Sequence, residues 1–155
     1  MAKQKMSRKG SDNQYLHKDF HIAFNYGLDY LEKNMGKAAV REYLGQFADA
    51  YYSPLKEAIK EKGLRAIKEH YEKIYKIETA EFKMRFSEDE LIIHLLASPA
   101  VRHIKSKGVS VSQSFHESVS TVNEVICRDT SFEMEMLDYR ENNGSYRMRF
   151  FRRQE

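Results

Sequence analysis

The spacing of apolar residues changes near residue 80, and this change restricts the chain to folds that combine helices with a sheet. Before residue 80, apolar residues recur every three or four positions, which is the period of a helix with one buried face. After it, Phe82, Met84 and Phe86 alternate with charged residues, which is the pattern of a half-buried strand. The first half is therefore predicted to be helical, and the second half is predicted to contain the sheet.

Four helices are predicted in the first half. Apolar stripes cover about residues 15–35, 37–52 and 64–77, and a short third helix begins at Ser53-Pro54. Proline suits the first position of a helix because its missing N–H would have no intrahelical partner there. Glycine follows the first and the third of these helices, and glycine is common just beyond a helix end.

The second half is predicted to run strand–strand, helix–helix, strand–strand. Strands at 82–86 and 91–96 precede helices at about 98–108 and 114–128, and the last segment is a hairpin that turns at an Asn-Gly pair. We predict an α+β fold in which the N-terminal helices pack on one face of a four-stranded antiparallel sheet. Its C-terminal half has the order ββ-αα-ββ.

Charged residues at alternate positions predict that the other face of this sheet is exposed. Opposite charges on neighbouring strands contribute about 0.2–1 kcal/mol each. His94 is out of phase with the apolar positions of its strand and is assigned to the same exposed face. The basic positions of this face are Lys83, Arg85, Arg147 and Arg149, and the acidic ones are Glu133 and Glu135.

Length and charge favour a single α+β domain over residues 14–155, preceded by a disordered basic tail over residues 1–13. The chain has 26 Lys and Arg residues against 23 Asp and Glu residues, and its first eighteen positions hold five of the basic ones. Without them the domain is near neutral, which disfavours nucleic-acid binding. A nucleic-acid-binding arm is the alternative interpretation of the tail.

Three further features predict a cytoplasmic protein that does not bind a membrane. No run of about 18 apolar residues is present, so a membrane span is not expected. The N-terminus lacks the apolar stretch of a signal peptide. Cys127 is the only cysteine, which excludes an internal disulfide and fits a reducing compartment.

The helix predicted after Gln113 has a polar edge, which is the first candidate site. His116, Ser120, Asn123 and Cys127 repeat at spacings of four, three and four beside an apolar stripe. Such groups can hold a polar ligand or assist a hydrolysis, and small polar residues at the boundary of a core are the alternative. His116 and Cys127 would lie about 16 Å apart along a helix, so they cannot form a catalytic pair.

The helix start at Ser98-Pro99 is the second candidate site. Free backbone N–H groups at a helix start favour a carboxylate or another anion. Arg102 and His103 follow within about one turn and could bind the same group. A strand–proline–helix junction that binds no ligand is the alternative.

Metal and cofactor binding are not expected from the sequence. His17 and His21 are four residues apart and could share a metal ion, but two ligands alone do not make a site. The chain has no glycine-rich phosphate loop, no zinc-type cysteine spacing and no nucleotide fingerprint.

The element order, the small residue before Pro99 and the hairpin end R-M-R-F over residues 147–150 resemble the L-2-amino-thiazoline-4-carboxylic acid hydrolase family. The layout is also similar to that of 4-vinyl reductase-type ligand-binding domains. This resemblance covers about residues 15–152. It implies a small carboxylate-bearing ligand and hydrolysis of a C–N or C–S bond. It also implies His116 as general acid/base, with Arg102 and the Pro99 helix start holding the carboxylate.

The chain departs from the family pattern at two places. The family has a cysteine followed three positions later by an acidic residue, and this chain has His116 and Val119 there. The family's final hairpin often has a Cys-Asp pair, and this chain has Tyr146-Arg147. These departures favour the alternative of a non-catalytic ligand-binding or dimerisation domain with an apolar pocket. A homodimer is then an open possibility beside the small-molecule ligand.

Overall fold

The computed structural model describes residues 18–154 and confirms the predicted α+β class. The predicted disordered tail over residues 1–13 and His17 lie outside the described residues. Of the helices in the described part, none is long and apolar enough to cross a lipid bilayer. Single residues connect the first four helices, which are α1 (Asp19–Met35), α2 (Lys37–Tyr51), α3 (Ser53–Lys62) and α4 (Leu64–Ile77).

The second half has the predicted ββ-αα-ββ order. Neighbouring strands are all antiparallel, and their order across the sheet is β1-β2-β4-β3. The final strand therefore lies inside the sheet, between β2 and β3. The elements are β1 (Phe82–Phe86), β2 (Glu90–Leu95), α5 (Pro99–Ser106), α6 (Glu117–Cys127), β3 (Phe132–Arg140) and β4 (Ser145–Arg152).

The start of α6 differs from the sequence prediction. The helix begins at Glu117 and not at Ser114, and His116 occupies its N-cap position. The Ser114 N–H donates to the Ser112 side-chain oxygen at 3.2 Å, and the Glu117 N–H donates to the Ser114 carbonyl at 3.0 Å. Serine side chains that bond to nearby backbone compete with helix formation, so this segment forms a turn.

α6 is the central helix of the core and packs between α2 and β3. Gly45 of α2 allows a close approach, since a Cβ atom there would lie 3.7 Å from Val125 Cγ2. The buried residues of α6 are Thr121, Val122, Asn123, Val125, Ile126 and Cys127.

The helices cover one face of the sheet, and the other face is exposed and charged, as predicted. Arg149 Nε lies 2.6 Å from Glu90 Oε1, and Arg149 Nη1 lies 3.7 Å from Glu135 Oε2. His94 stands opposite Lys83 on one neighbouring strand and Arg147 on the other. The buried residues of the covered face in the two central strands are Leu91, Ile93, Leu95, Tyr146, Met148 and Phe150.

Candidate functional site

His116 is held at the N-cap of α6 with its side chain 43% exposed. Its Nδ1 lies 2.9 Å from the Gln113 carbonyl oxygen, which can only accept a hydrogen bond, so Nδ1 carries the proton. Nε2 lies 3.5 Å from Glu117 Oε1, and the ring centroid lies 5.7 Å from that of Tyr139. The Gln113 carbonyl thereby fixes both the tautomer and the orientation of the imidazole.

Glu117 places a fixed negative charge beside this histidine. Burial opposes its ionisation, but the Thr121 hydroxyl, Arg41 and His116 together lower the pKa of the carboxyl below its usual value. The Thr121 hydroxyl donates to Oε2, and Arg41 Nη1 lies 2.9 Å from the same oxygen. Glu117 is therefore ionised at neutral pH and is tied to α2 and to its own helix.

His116 lies on the wall of a cleft of about 580 Å³, a volume that falls in the range of small-molecule sites. Its lining comes from three separate parts of the chain, so no single sequence motif could have predicted it. Its lining consists of Lys105 on α5, residues 110–113 of the linker, His116, Tyr139 at the end of β3, and residues 141–142 of the hairpin loop.

The cleft presents a basic side chain at Lys105, an acidic side chain at Glu141 and a phenolic donor at Tyr139. The Lys105 ammonium donates to the carbonyl oxygen of Asn142 and so connects α5 to the hairpin loop. Burial, with a smaller contribution from Glu141, raises the pKa of Tyr139 from 10.0 to about 12. The phenol therefore keeps its proton at neutral pH and can donate a hydrogen bond. Sequence reasoning missed both Lys105 and Tyr139.

Asn25 of α1 positions the linker wall of this cleft. Its Nδ2 donates to the Ser110 carbonyl at 2.9 Å, and its Oδ1 accepts from the Ser112 N–H at 2.8 Å. The side chain is only 1% exposed, so both bonds are shielded from water. An asparagine within the buried stripe of α1, one turn before Leu28, is the sequence signal that could have revealed this role.

The helix start at Ser98-Pro99 is covered by the β3–β4 hairpin. The Ser98 N–H donates to the Asn143 carbonyl at 2.9 Å, and the Ser98 hydroxyl oxygen accepts from the Val101 N–H at 3.3 Å. Gly144 packs directly on this start, since a Cβ atom there would lie 2.7 Å from Ser98 Cβ. The N–H groups of Ser98 and Val101 thus already have hydrogen-bond partners, whereas the sequence predicted that N–H groups at this helix start would bind an anion.

Arg102 and His103 lie outside the cleft lining. Arg102 is exposed on α5, and Nε2 of His103 lies 2.9 Å from Asp19 Oδ1 of α1. Lys105 is the α5 residue that lines the cleft with His116, and the start of α5 at Ser98 bonds instead to the hairpin loop.

Ser120 and Asn123 also lie outside the cleft lining. The Ser120 hydroxyl lies 3.3 Å from the His116 carbonyl and 3.2 Å from Glu117 Oε2. Asn123 accepts from the Tyr71 hydroxyl at 2.7 Å and donates to the Val119 carbonyl at 2.8 Å. Asn123 therefore stabilises α6 and the contact between α6 and α4.

Cys127 is buried at the end of α6, and burial raises the pKa of its thiol from 9.0 to about 12. A thiol in this state is a poor nucleophile at neutral pH. Within residues 18–154, no group of three or more His, Cys, Asp or Glu side chains is arranged to hold a metal ion.

A second cleft, of about 980 Å³, opens where the α3–α4 turn meets the end of β4. Its larger volume does not make it the better site, because each of its four basic side chains already has an acidic partner. Arg65 lies 3.3 Å from Glu88, and Lys62 lies 3.7 Å from Glu69. An incoming ligand would have to compete with these pairs.

Comparison with protein-family models, with curated proteins and with solved structures found no match to this chain. Its resemblance to the thiazoline-carboxylate hydrolases stays a prediction.

Proposed function

We propose that this chain is a binding protein for a small carboxylate-bearing molecule, which lies in the cleft beside His116. One observation carries the proposal: the fold brings the Lys105 ammonium and the protonated Tyr139 phenol from two parts of the chain to the cleft that His116 lines. An ammonium group and neutral N–H or O–H donors are the groups that bind a carboxylate in proteins. The apolar side chain of Val111 in the same lining would contact the rest of the ligand.

The absence of a thiol in this cleft favours binding over covalent catalysis, because Cys127 is buried elsewhere. We assign this function to the cytosol, where the single cysteine would stay reduced.

Hydrolysis of a C–N or C–S bond in the ligand is the second candidate function. The observation in its favour is the fixed tautomer of His116, whose neutral form leaves Nε2 free to accept a proton from water. Ionised Glu117, 3.5 Å from Nε2, would stabilise the imidazolium that forms. Release of ammonia or of a thiol from a bound thiazoline carboxylate, lost in His116→Ala, would support this activity.

The binding proposal is tested by NMR titration with L-2-amino-thiazoline-4-carboxylate, and with its amide as the control that lacks the carboxylate. We expect the carboxylate to shift backbone signals of residues 110–116 and 139–142. Lys105→Met and Tyr139→Phe should each weaken binding about tenfold or more, since a hydrogen bond to a charged group contributes about 1.5–3 kcal/mol.

Arg102→Met is the matched control for Lys105→Met. It removes an equal charge one turn earlier on α5, from an exposed position outside the cleft, so affinity should be unchanged. Equal binding of acid and amide, or signal shifts confined to the larger cleft, would contradict the proposal.

A further inference from the structure

The outward face of α1 is an exposed stripe with no charge along its middle. Its members follow one another at spacings of four, three, four and three residues, which is the heptad spacing of a helix–helix seam. Tyr26 and Tyr30 are 57% and 66% exposed. Nothing within residues 18–154 covers them. The members of this outer stripe are Asp19, Ala23, Tyr26, Tyr30 and Lys33, all of them exposed.

Gly27 lies beside the outer stripe, and its glycine is not required by the described part of the chain. Its φ is not positive, and a Cβ atom there would meet no atom of residues 18–154 within 4 Å. Glycine inside a helix weakens the helix relative to alanine. The comparison with Gly45 is informative, because Gly45 faces Val125 Cγ2 of α6 at 3.7 Å. A small residue at an exposed position allows another backbone to approach closely.

The charges of the outer stripe are arranged symmetrically about its centre. Asp19 lies seven residues before Tyr26, and Lys33 lies seven residues after it, so each is about 10 Å from Tyr26 along the axis. If two copies of α1 pack antiparallel with a two-fold axis at Tyr26, each Asp19 faces Lys33 of the other copy. The absence of charge in the middle of the stripe also favours this pairing. A charged group near the two-fold axis would face the same charge on the other copy.

We propose that the outer stripe of α1 binds a second copy of this chain, forming an antiparallel, two-fold symmetric helix pair. This proposal is independent of the cleft beside His116. Tyrosine is enriched in protein–protein interfaces, and charged residues are depleted from their centres. Asp19 and Lys33 now pair with His103 at 2.9 Å and with Asp29 at 2.7 Å within one chain. The Asp19 and Lys33 side chains are themselves exposed, so they can exchange these partners for pairs between copies.

Sedimentation velocity of the full chain over about a hundredfold range of concentration tests the proposal. We expect a concentration-dependent dimer. Tyr26→Glu should weaken it at least about tenfold, because two carboxylates then face each other across the axis. Tyr43→Glu is the matched control, since Tyr43 is an aromatic residue of α2 that is 47% exposed. Circular dichroism verifies that both variants fold.

A charge exchange tests the antiparallel orientation. Lys33→Asp should weaken the dimer because two like charges then meet at each end. Combining it with Asp19→Lys should restore the dimer, since opposite charges face each other again. A full chain that stays monomeric throughout would overturn the proposal, as would a Tyr43→Glu variant as impaired as Tyr26→Glu, or a double variant that remains monomeric. A chain lacking residues 1–17 that dimerises while the full chain does not would identify that segment as the occupant instead.

Discussion

Gly144 joins the β3–β4 hairpin to α5, and two separate constraints act on this one residue. Its φ is +65°, a conformation that favours glycine. Its Cα also packs so closely on α5 that a Cβ atom would lie 2.5 Å from Val101 Cγ2 and 2.7 Å from Ser98 Cβ. The residue therefore fixes both the shape of the turn and its position on the helix.

Gly144→Ala should lower the free energy of unfolding by more than the strain of a positive φ alone would, because the added Cβ would also clash with α5. Gly108→Ala is the matched control, because Gly108 has φ +71° and, apart from its neighbours along the chain, no atom of residues 18–154 lies within 4 Å of its Cβ position. We expect Gly144→Ala to cost about 1–3 kcal/mol more than Gly108→Ala, which is the usual cost of overpacking. Urea unfolding of both variants measures this difference, and equal losses would show that the contact with α5 is not tight.

At the scale of elements, the linker between α5 and α6 has no regular structure, yet side chains of α1 hold it in place. Asn25 bonds to Ser110 and Ser112, and the Ser114 hydroxyl donates to Glu32. These bonds hold in place residues 110–112, which form one wall of the His116 cleft. α1 thus contributes to the candidate site without lining it.

Asn25→Ala should loosen this wall and destabilise the fold. It leaves the Ser110 carbonyl and the Ser112 N–H without their partner, at a cost of about 1–3 kcal/mol for buried groups. Hydrogen exchange in residues 109–114 should also become faster. Asn34→Ala is the control, because Asn34 is exposed on the same helix and donates to the Tyr30 carbonyl of that helix. A linker that exchanges equally slowly in both variants would contradict this role.

The elements could be predicted from sequence because each of them repeats its own pattern. Alternation at Phe82, Met84 and Phe86 identified β1 regardless of its partners. The beginning of α6 could not be found in this way, since Ser112 and Ser114 direct backbone bonds into a turn that apolar spacing does not record. Asn25 likewise bonds to residues more than eighty positions away, and local periodicity carries no information about such a partner.

The candidate site could be predicted only in part, for a reason that concerns the whole molecule. His116 was found because it borders an apolar stripe, and it does line a cleft. The expected combination with Ser98 and Arg102 depended on where the β3–β4 hairpin lies. The order β1-β2-β4-β3 brings its loop over the start of α5, and that placement follows from strand pairing across the whole second half.

The whole molecule also buries several weak acids in its core. The Tyr71 hydroxyl bonds to Asn123, and the Tyr75 and Tyr146 hydroxyls lie 2.5 Å apart. Burial is the largest cause that raises the pKa of all three phenols above the usual value of 10.0. Burial similarly raises the pKa of the Cys127 thiol from 9.0 to about 12. The native state therefore retains protons that an unfolded chain releases.

Stability should consequently fall as the pH rises from about 9 to about 12. Below pH 9 the thiol and the phenols are protonated in both states, so their contribution is fully present. Above it the unfolded chain loses first the thiol proton and then the phenolic protons, which favours unfolding until the native groups also ionise. Urea midpoints between about pH 8 and pH 11 measure this decline.

Cys127→Ala is the informative comparison for this decline. It removes the group that ionises first in the unfolded chain, so its midpoint should begin to fall nearer pH 10, where the phenols titrate. A wild-type midpoint that stays constant up to about pH 11 would contradict burial of these acids.

The hairpin loop over residues 141–144 connects the candidate cleft to the start of α5. It closes one side of the cleft and at the same time seals the first turn of α5. A molecule in the cleft would contact Glu141 and Asn142, and the next two residues along the chain, Asn143 and Gly144, contact the start of α5. Binding of a ligand in the cleft and local unfolding of the first turn of α5 would then oppose each other. A ligand would therefore make this helix start more rigid without touching it.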